Sequence, residues 1–411
     1  MLKDAEWVIM VADIKRIALA YSGGLDTSVA IKWLAENYGA KIITVTLDLG
    51  QDEDFKAIGD KALKVGAENH YTVDAKREFA TGYIFPSIKA NGIYQFKYPI
   101  STALGRPLIA EKLVEIAHKE GCDAVAHGCT GKGNDQIRIE VSCMARDPSL
   151  KILAPTRNWG MSRDQEIEYA KKHDIPISKA SKKYSIDECL WGRSIESGPL
   201  ENPWNEPQED GWLWTTAPEL SPDKPTTIEV EFRKGVPVAL DGVYMEPVEL
   251  IKKANRVSGE NGVGRIDHME DRIVGIKSRE TYECPAATVI LEAHRDLEKL
   301  VLNRHEHEFK RLVDDKWAFL VYAGLWDDPL REELDAFINK SNERVDGKVK
   351  VKLYKGSMIV SGRSSPNSVY DFKTATYDSS STFDQTLSNG FIPLWGLQTV
   401  VSRRVISKRR A

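Results

Sequence analysis

The alternation of apolar, β-rich runs with helical patterns is the feature that most constrains this chain. Between Arg16 and about Ser181, short runs that favour strands are separated by amphipathic segments that favour helices. This order predicts βαβ units and a parallel sheet with helices on both faces, that is, a doubly wound α/β domain. The predicted strands are Ile17–Ala20, Ile42–Leu47, His70–Val73, Ala124–Ala126 and Lys151–Ala154, and the predicted helices are Thr27–Asn37, Phe55–Val65 and Pro107–Lys119.

The pattern changes after this region. Six prolines and four tryptophans between Ser185 and Pro225 predict a long ordered loop, because prolines interrupt regular structure. An α+β pattern follows, and from Thr382 onward the periodicity is weak. We therefore predict domains at 1–181, 182–381 and 382–411. The α+β region is predicted to contain hairpins at Thr227–Phe232 with Pro237–Leu240 and at Lys348–Val360, and helices at Val248–Val257 and Ala286–Leu312.

Composition excludes several classes of protein. Hydrophobic residues make up 42% of the 411 residues and charged residues 29%, a profile typical of globular domains. The longest apolar stretch, 317–326, is half of what a membrane-spanning helix needs, about 20 residues. A net charge of −4 gives no general attraction to nucleic acid. Five widely spaced cysteines without a C-x-x-C pair indicate reduced thiols in the cytoplasm.

The first candidate motif follows the first predicted strand. It runs A-Y-S-G-G-L-D-T-S from Ala20 to Ser28. Two glycines let the backbone turn so that its N–H groups converge, and the helix that follows presents its positive end to the same point. Such a turn can hold a polyphosphate. The alternative is a plain strand-to-helix turn in which Asp26 or Thr27 caps the helix.

Other phosphate-binding signatures are absent from the sequence. No G-x-x-x-x-G-K-[ST] occurs, and no predicted strand is followed by G-x-G-x-x-G, so the phosphate sites of P-loop kinases, GTPases and dinucleotide oxidoreductases are absent here. The S-G-G-x-D-[ST]-S string instead resembles the loop of ATP pyrophosphatases. Enzymes with this loop grip the pyrophosphate of ATP and transfer AMP, which implies attack at the α-phosphate.

The second candidate motif is H-G-C-T-G-K-G-N-D-Q-I-R at 127–138, which follows a short predicted strand. Three glycines permit close backbone approach to a ligand, and Asn134 and Arg138 share one face of the helix that begins there. That face can grip a zwitterion. The alternative is that Asn134 or Asp135 is only the N-cap of the helix.

With G-V-G-R-I-D at 262–267 and G-I-K-S-R-E-T-Y-E-C-P at 275–285, these motifs resemble the argininosuccinate synthase family. The resemblance runs from about Arg16 almost to the C-terminus. It implies an adenine nucleotide alpha hydrolase-like first domain and a C-terminal oligomerisation segment. It also implies that the ureido oxygen of citrulline attacks the α-phosphate of MgATP, and that aspartate then displaces AMP from citrullyl-AMP.

The resemblance implies a role for each matching residue. Asp135 and Asn134 are the candidate catalytic residues, with Asp135 either orienting the aspartate amine or accepting its proton. The resemblance also implies which residues bind each substrate. ATP is held by Ala20, Tyr21, Ser22, Gly23, Gly24, Leu25, Asp26, Thr27, Ser28, Leu47 and Gly128; aspartate by Thr130, Asn134 and Asp135; and citrulline by Tyr98, Asn134, Arg138, Ser185, Ser194, Glu270 and Tyr282.

Several expectations accompany these assignments. Without the resemblance, Glu270 could be an exposed charge, Tyr98 and Tyr282 core aromatics, and Ser185 a helix cap. Ala103 stands where many relatives have serine, which removes one contact to citrulline. No protein-held metal site is predicted, since Mg²⁺ arrives with ATP. A homotetramer is implied by the resemblance. The alternatives are a tRNA-modifying enzyme with the same loop and a nucleotide sensor without catalysis.

Overall fold

The computed structural model describes residues 14–177 and 183–409. The segment Met1–Asp13, to which the sequence assigns no role, lies outside the described residues. The chain divides into two compact units between Asn367 and Ser368. The first unit contains three sheets and nearly all of the helices, and the second contains two helices. The predicted domain boundaries at 181 and 381 stay predictions.

The first sheet is parallel and has the strand order β3-β2-β1-β4-β5. Side chains of the central strand β1 point alternately to the two faces of the sheet. Ile17 and Leu19 pack in one hydrophobic cluster under α1, and Ala18 packs in another under α5. Helices therefore cover both faces, and the predicted doubly wound fold is confirmed. The elements are β1 Arg16–Ala20, α1 Leu25–Tyr38, β2 Lys41–Asp48, α2 Phe55–Val65, β3 Asn69–Asp74, α3 Lys76–Phe79, α4 Phe85–Lys89, α5 Ser101–Glu120, β4 Ala124–Ala126, α6 Asp135–Arg146, β5 Lys151–Leu153, α7 Pro155–Asn158 and α8 Arg163–Lys172.

Helix α5 begins six residues earlier than the predicted Pro107 start. Pro107 lies inside the helix, although proline lacks an N–H group and usually interrupts a helix. The first turn of α5 is capped by a tyrosine: the Tyr98 hydroxyl accepts hydrogen bonds from the backbone N–H of Thr102 at 3.1 Å and of Ala103 at 3.3 Å. A side chain from the preceding loop thus satisfies N–H groups that a helix start leaves free.

The segment after Ser185 corrects a second expectation. Instead of a continuous loop it begins with a β-hairpin, which continues into three 3-10 helices. Ser185 lies in a strand, so it is not a helix cap. Prolines are confined to the part after the hairpin, which explains why their density does not exclude strands before it. The elements are β6 Ser185–Cys189, β7 Gly192–Glu196 and the 3-10 helices Gly198–Glu201, Glu209–Gly211 and Pro218–Leu220.

Two antiparallel sheets complete the first unit, in the orders β11-β12-β7-β6 and β10-β9-β8-β13-β14. Both predicted hairpins of the second of these sheets are present. The predicted helix Ala286–Leu312 is two helices, because Asn303 and Glu306 form a capping box that starts a new one. The elements are β8 Thr226–Arg233, β9 Val236–Leu240, β10 Val243–Tyr244, α9 Pro247–Glu260, β11 Arg265–Asp271, β12 Lys277–Glu283, α10 Pro285–Val301, α11 Arg304–Tyr322, α12 Pro329–Asn342, β13 Gly347–Tyr354 and β14 Ser357–Ser364.

The second unit contains α13 Phe372–Ala375 and α14 Leu387–Lys408. Helix α14 has 22 residues and none of them is buried. The weak periodicity of this segment did not predict so long a helix, because large apolar side chains occur all around it. Of the helices in the described ranges, none has the combination of length and apolar character that crossing a bilayer requires.

A buried charge network fixes the loop that leads into α5. The Lys310 ammonium, 1% exposed, lies 2.8 Å from Asp314 Oδ1, 2.9 Å from Glu298 Oε1 and 2.8 Å from the Lys89 carbonyl. Asn91 donates to both carboxylates, at 2.7 Å and 2.8 Å. Burial raises the pKa of Asp314 to about 7 although Lys310 opposes this. The network therefore depends on the single lysine to balance two carboxylates.

We expect Lys310→Met to lower the free energy of unfolding by about 3–5 kcal/mol at pH 8, since it leaves two buried carboxylates without their cation. Equilibrium unfolding in urea measures this. Lys316→Met, on the exposed face of the same helix, is the matched control and should stay within about 0.5 kcal/mol of the unmodified chain. A loss below about 1 kcal/mol for Lys310→Met would contradict the role given to the lysine.

Candidate active site

The candidate site lies at the point in the parallel sheet where the strand order reverses. β2 and β3 extend the sheet on one side of β1, while β4 and β5 extend it on the other. In open α/β sheets the loops at such a switch point separate at the carboxyl ends of the strands and leave a crevice for a ligand. The two sequence motifs are these loops, because one follows β1 and the other follows β4.

The first loop presents the start of α1 to the crevice. Gly23 has φ +73°, a conformation that favours glycine, and Gly24 is the N-cap without any side-chain cap. The interpretation of Asp26 or Thr27 as the cap is therefore wrong. The first N–H groups of α1 stay available, and they lie beside the Ser22 and Thr27 hydroxyls, which are 3.2 Å apart. This arrangement suits an anion.

The two loops touch each other at Gly128. A Cβ atom on Gly128 would lie 2.6 Å from Thr27 Cγ2, closer than atoms can approach. Only glycine lets the second loop pass so close to the first. The backbone of the second motif thus forms part of the same binding surface as the first motif.

A cavity of about 600 Å³ opens at this crevice. Six of the predicted ATP-binding residues line it: Ala20, Tyr21, Ser22, Thr27, Leu47 and Gly128. Gly23 and Gly24 form the turn itself, and Leu25 begins α1. Ser28 is fully buried, and its hydroxyl donates to the Gly24 carbonyl at 2.6 Å. The structure therefore gives Ser28 a part in shaping the turn.

Asp26 does not line the cavity, and its side chain reaches α8 instead. Its carboxylate pairs with Arg163, which also lies 3.2 Å from Glu166. Burial, with the Asp26 carboxylate nearby, raises the pKa of Glu166 to about 7. Asp26 thus holds the loop to α8 through Arg163.

Asp135 stands between two arginines at the start of α6. Arg106 and Arg138 each donate to its carboxylate at 2.8 Å. Burial alone would raise the pKa of Asp135, but the two guanidinium groups outweigh burial and hold that pKa well below its usual range. Arg106 also pairs with Asp187 of β6, so the cluster links the parallel sheet to the sheet that contains β6. Asp135, Arg106 and Asp187 all line the cavity.

Asn134 is not used as a helix cap. It stands at the N-cap position of α6 but makes no side-chain cap hydrogen bond. Its amide donates to the Tyr322 hydroxyl at 2.8 Å and accepts from the Ile273 N–H at 2.9 Å. Asn134 is buried, so its amide serves the tertiary structure and the capping interpretation is wrong.

Glu270 is buried among tyrosines. The Tyr282 hydroxyl donates to Glu270 at 2.6 Å, and the Tyr322 hydroxyl donates to the other carboxylate oxygen. Burial, together with Glu270, raises the pKa of both phenols, so they remain neutral donors. Tyr98 stacks on Tyr282 with ring centroids 4.1 Å apart. The interpretation of Glu270 as an exposed charge is wrong, since it is 4% exposed.

Strand register brings four predicted citrulline-binding residues to one face of the β11-β12-β7-β6 sheet. Ser194 pairs with Tyr282 and with Asp187, and Glu270 lies on the same face of β11 because it pairs with Ser278. Ser185, two residues before Asp187, shares this face. Arg138 reaches the same region, where its Nε donates to the Tyr322 carbonyl at 3.0 Å.

Two predicted residues lie at the outer edge of this arrangement. Thr130 is exposed in the glycine-rich loop, and Ser185 is exposed on β6. Neither hydroxyl belongs to a hydrogen bond among the residues that the structure describes. Both are free to meet a ligand that enters from solvent.

Sequence reasoning missed Arg106 and Tyr322. Arg106 lies in the first turns of α5, beside a proline that predicted the helix start too late. Tyr322 is the last residue of α11 and lies inside the apolar run 317–326. A buried tyrosine hydroxyl usually has a hydrogen-bond partner, and this was the only signal that the sequence offered. Each lies far in sequence from the motif it serves, so spacing alone could not find it.

The whole arrangement combines an anion-binding turn with an adjacent cluster of buried polar side chains. Its charged groups are compensated in pairs, and its hydroxyl and amide groups converge from three different regions of the chain. Such an arrangement can hold a polyphosphate next to zwitterionic molecules.

Comparison with known proteins matches nearly the whole chain. Residues 16–176 match a family model described as the Arginosuccinate synthase N-terminal HUP domain, and residues 184–402 match the Arginosuccinate synthase C-terminal domain. The chain belongs to the argininosuccinate synthase family. Argininosuccinate synthase from Pyrococcus furiosus is 56% identical over 391 residues, 95% of both chains. Argininosuccinate synthase from Dictyoglomus turgidum is 54% identical over 93% of this chain and 96% of that one.

A solved structure has a much weaker likeness. The U34-tRNA thiolase NcsA from Methanococcus maripaludis with its [4Fe-4S] cluster has 18% identity and a TM-score of 0.27, and the match covers 43% of this chain and 61% of the thiolase. These values carry no conclusion about function. The argininosuccinate synthase matches support the ligase interpretation and ATP binding, and they do not support the tRNA-modifying alternative.

In this argininosuccinate synthase family member, Gly128→Ala should raise the KM for ATP by about tenfold or more. The added methyl group has to push Thr27 and its loop away from the second loop. Steady-state kinetics with varied ATP measures the change. Gly133→Ala is the matched control, since a Cβ there meets no atom within 4 Å and should leave the ATP KM within about twofold. Equal effects of the two substitutions would contradict the contact between the loops.

Proposed function

We propose that this chain condenses L-citrulline with L-aspartate to give argininosuccinate, AMP and pyrophosphate, through a citrullyl-AMP intermediate. The observation that carries the proposal is the contact between the anion-binding turn and the second motif at Gly128. Because of this contact, residues of the turn and Asp135 line one cavity. Membership of the argininosuccinate synthase family supports the same reaction.

In the first step, the ureido oxygen of citrulline attacks the α-phosphorus of ATP and pyrophosphate leaves. The turn at Ser22–Leu25 offers N–H groups and hydroxyls to the pyrophosphate, which stabilises the charge that develops on it. We assign citrulline to the cluster of polar side chains that contains Arg138, Asn134 and Glu270. There, Arg138 suits the carboxylate, and Glu270 suits the ammonium group.

In the second step, the aspartate amine attacks the ureido carbon and AMP leaves. We assign aspartate to Thr130, Asn134 and Asp135. The depressed pKa of Asp135 makes its carboxylate a weak base. This supports the orienting role over proton abstraction, because a carboxylate that accepts a proton needs a pKa nearer the working pH.

We propose that Mg²⁺ enters on the phosphates of ATP. In the described ranges, no group of three or more His, Cys, Asp or Glu side chains is arranged to hold a metal ion. Mg²⁺ commonly binds through substrate phosphates and water with few protein ligands, which fits this donor set. When bound, it would neutralise phosphate charge beside the turn.

The assembly and location of the chain are also proposals. Exposed apolar side chains along α14, among them Leu394, Trp395 and Val401, support burial against other copies in a homotetramer. All five cysteines are free thiols, which supports a reducing compartment such as the cytoplasm. Arginine biosynthesis follows as the process that this reaction serves.

We expect the purified chain to form AMP and pyrophosphate from MgATP only when citrulline is present, and argininosuccinate only when aspartate is added as well. Chromatography of the nucleotides and amino acids measures this. Stoichiometric ADP in place of AMP would contradict the proposal.

Tyr322→Phe, which removes the hydroxyl shared by Asn134 and Glu270, should raise the citrulline KM more than the ATP KM, whereas Tyr244→Phe on a remote strand should change neither.

A further inference from the structure

The phosphate-binding turn contains no lysine of its own, but a lysine from α2 reaches it. Lys61 Nζ donates to the Gly23 carbonyl at 2.7 Å, and Lys61 is partly buried. Across residues 14–177 and 183–409, no carboxylate pairs with Lys61. The other cation at this loop, Arg163, is by contrast paired with Asp26 and Glu166.

The geometry of a peptide bond gives this hydrogen bond a consequence. In a trans peptide the C=O and N–H groups point in opposite directions. When Lys61 holds the Gly23 carbonyl toward α2, the N–H of Gly24 is turned the other way. The Gly24 N–H donates a hydrogen bond to Ser22 Oγ, with 3.3 Å between the two heavy atoms, and Ser22 lines the cavity of about 600 Å³. The lysine thus fixes which group of this peptide faces the ligand.

Packing of α2 supports the same orientation. Ile58 lies one turn before Lys61 on α2, and its Cγ1 is 3.1 Å from the point where a Cβ of Gly23 would be. Gly23 has φ +73°, which its lack of a side chain permits. The helix therefore contacts the turn with one apolar group and one ammonium group, and the ammonium group makes the polar contact.

We propose that Lys61 is a positioning residue of the phosphate-binding turn: its hydrogen bond holds the Gly23 carbonyl toward α2, so that the Gly24 N–H and the Ser22 hydroxyl face the polyphosphate. This inference rests on the proposed function, because it assumes that ATP binds at this turn. It deepens that function by naming a residue outside both motifs. Lys61 acts through the backbone of the loop and does not line the cavity.

The test measures equilibrium binding of MgATP by isothermal titration calorimetry to the full chain and to Lys61→Met, with steady-state kinetics on the same proteins. Lys61→Met should weaken ATP binding about tenfold or more, the effect of losing one hydrogen bond to a charged group. It should leave kcat at saturating ATP and the citrulline KM unchanged. Lys61→Arg, which keeps the donor and the charge, should restore most of the affinity.

Lys64→Met is the matched control, because Lys64 is exposed on the same helix and should bind ATP as the unmodified chain does. If Lys61→Met does not fold, Lys61→Leu gives the same comparison, because leucine also lacks a donor for the Gly23 carbonyl. ATP binding that is equally strong with and without the Lys61 ammonium would overturn this inference alone. An unmodified chain that does not bind ATP would overturn the proposed function together with the inference.

Discussion

The pairing of the Asp135 carboxylate with Arg106 and Arg138 is the interaction on which the site depends. Charges are costly to remove from water unless they are compensated, and here two guanidinium groups surround one carboxylate. Arg106 comes from α5 and Asp135 and Arg138 from α6, while Asp187 extends the cluster to β6. One set of ion pairs therefore aligns both helices with the neighbouring antiparallel sheet.

This alignment explains how substrates of different chemistry can meet. The parallel sheet supplies the anion-binding turn at its switch point, and the antiparallel sheet supplies a face of hydroxyl and carboxylate groups. Two neutral phenols, those of Tyr282 and Tyr322, donate hydrogen bonds to the buried Glu270 side chain. The same ion pairs that join the sheets also lower the pKa of Asp135, which supports the orienting role that we propose for this residue.

Much of this was accessible from the sequence, because local pattern determines local structure. The strands of the parallel sheet and the two motifs were predicted within a few residues, since apolar alternation and glycine turns depend on near neighbours. The roles of Arg106 and Tyr322 were not predicted, because they depend on contacts between residues far apart in the chain. The split between α10 and α11 was missed although Asn303 and Glu306 formed a capping signal, because the apolar pattern continues through it.

The central claim is that ATP and citrulline react directly across the crevice between the two loops, with transfer of AMP to the ureido oxygen. The most direct measurement follows that oxygen. With citrulline labelled with oxygen-18 in the ureido group, mass spectrometry of the products after condensation with aspartate should find the label in the phosphate of AMP. Unlabelled AMP, or label in pyrophosphate, would contradict the claim.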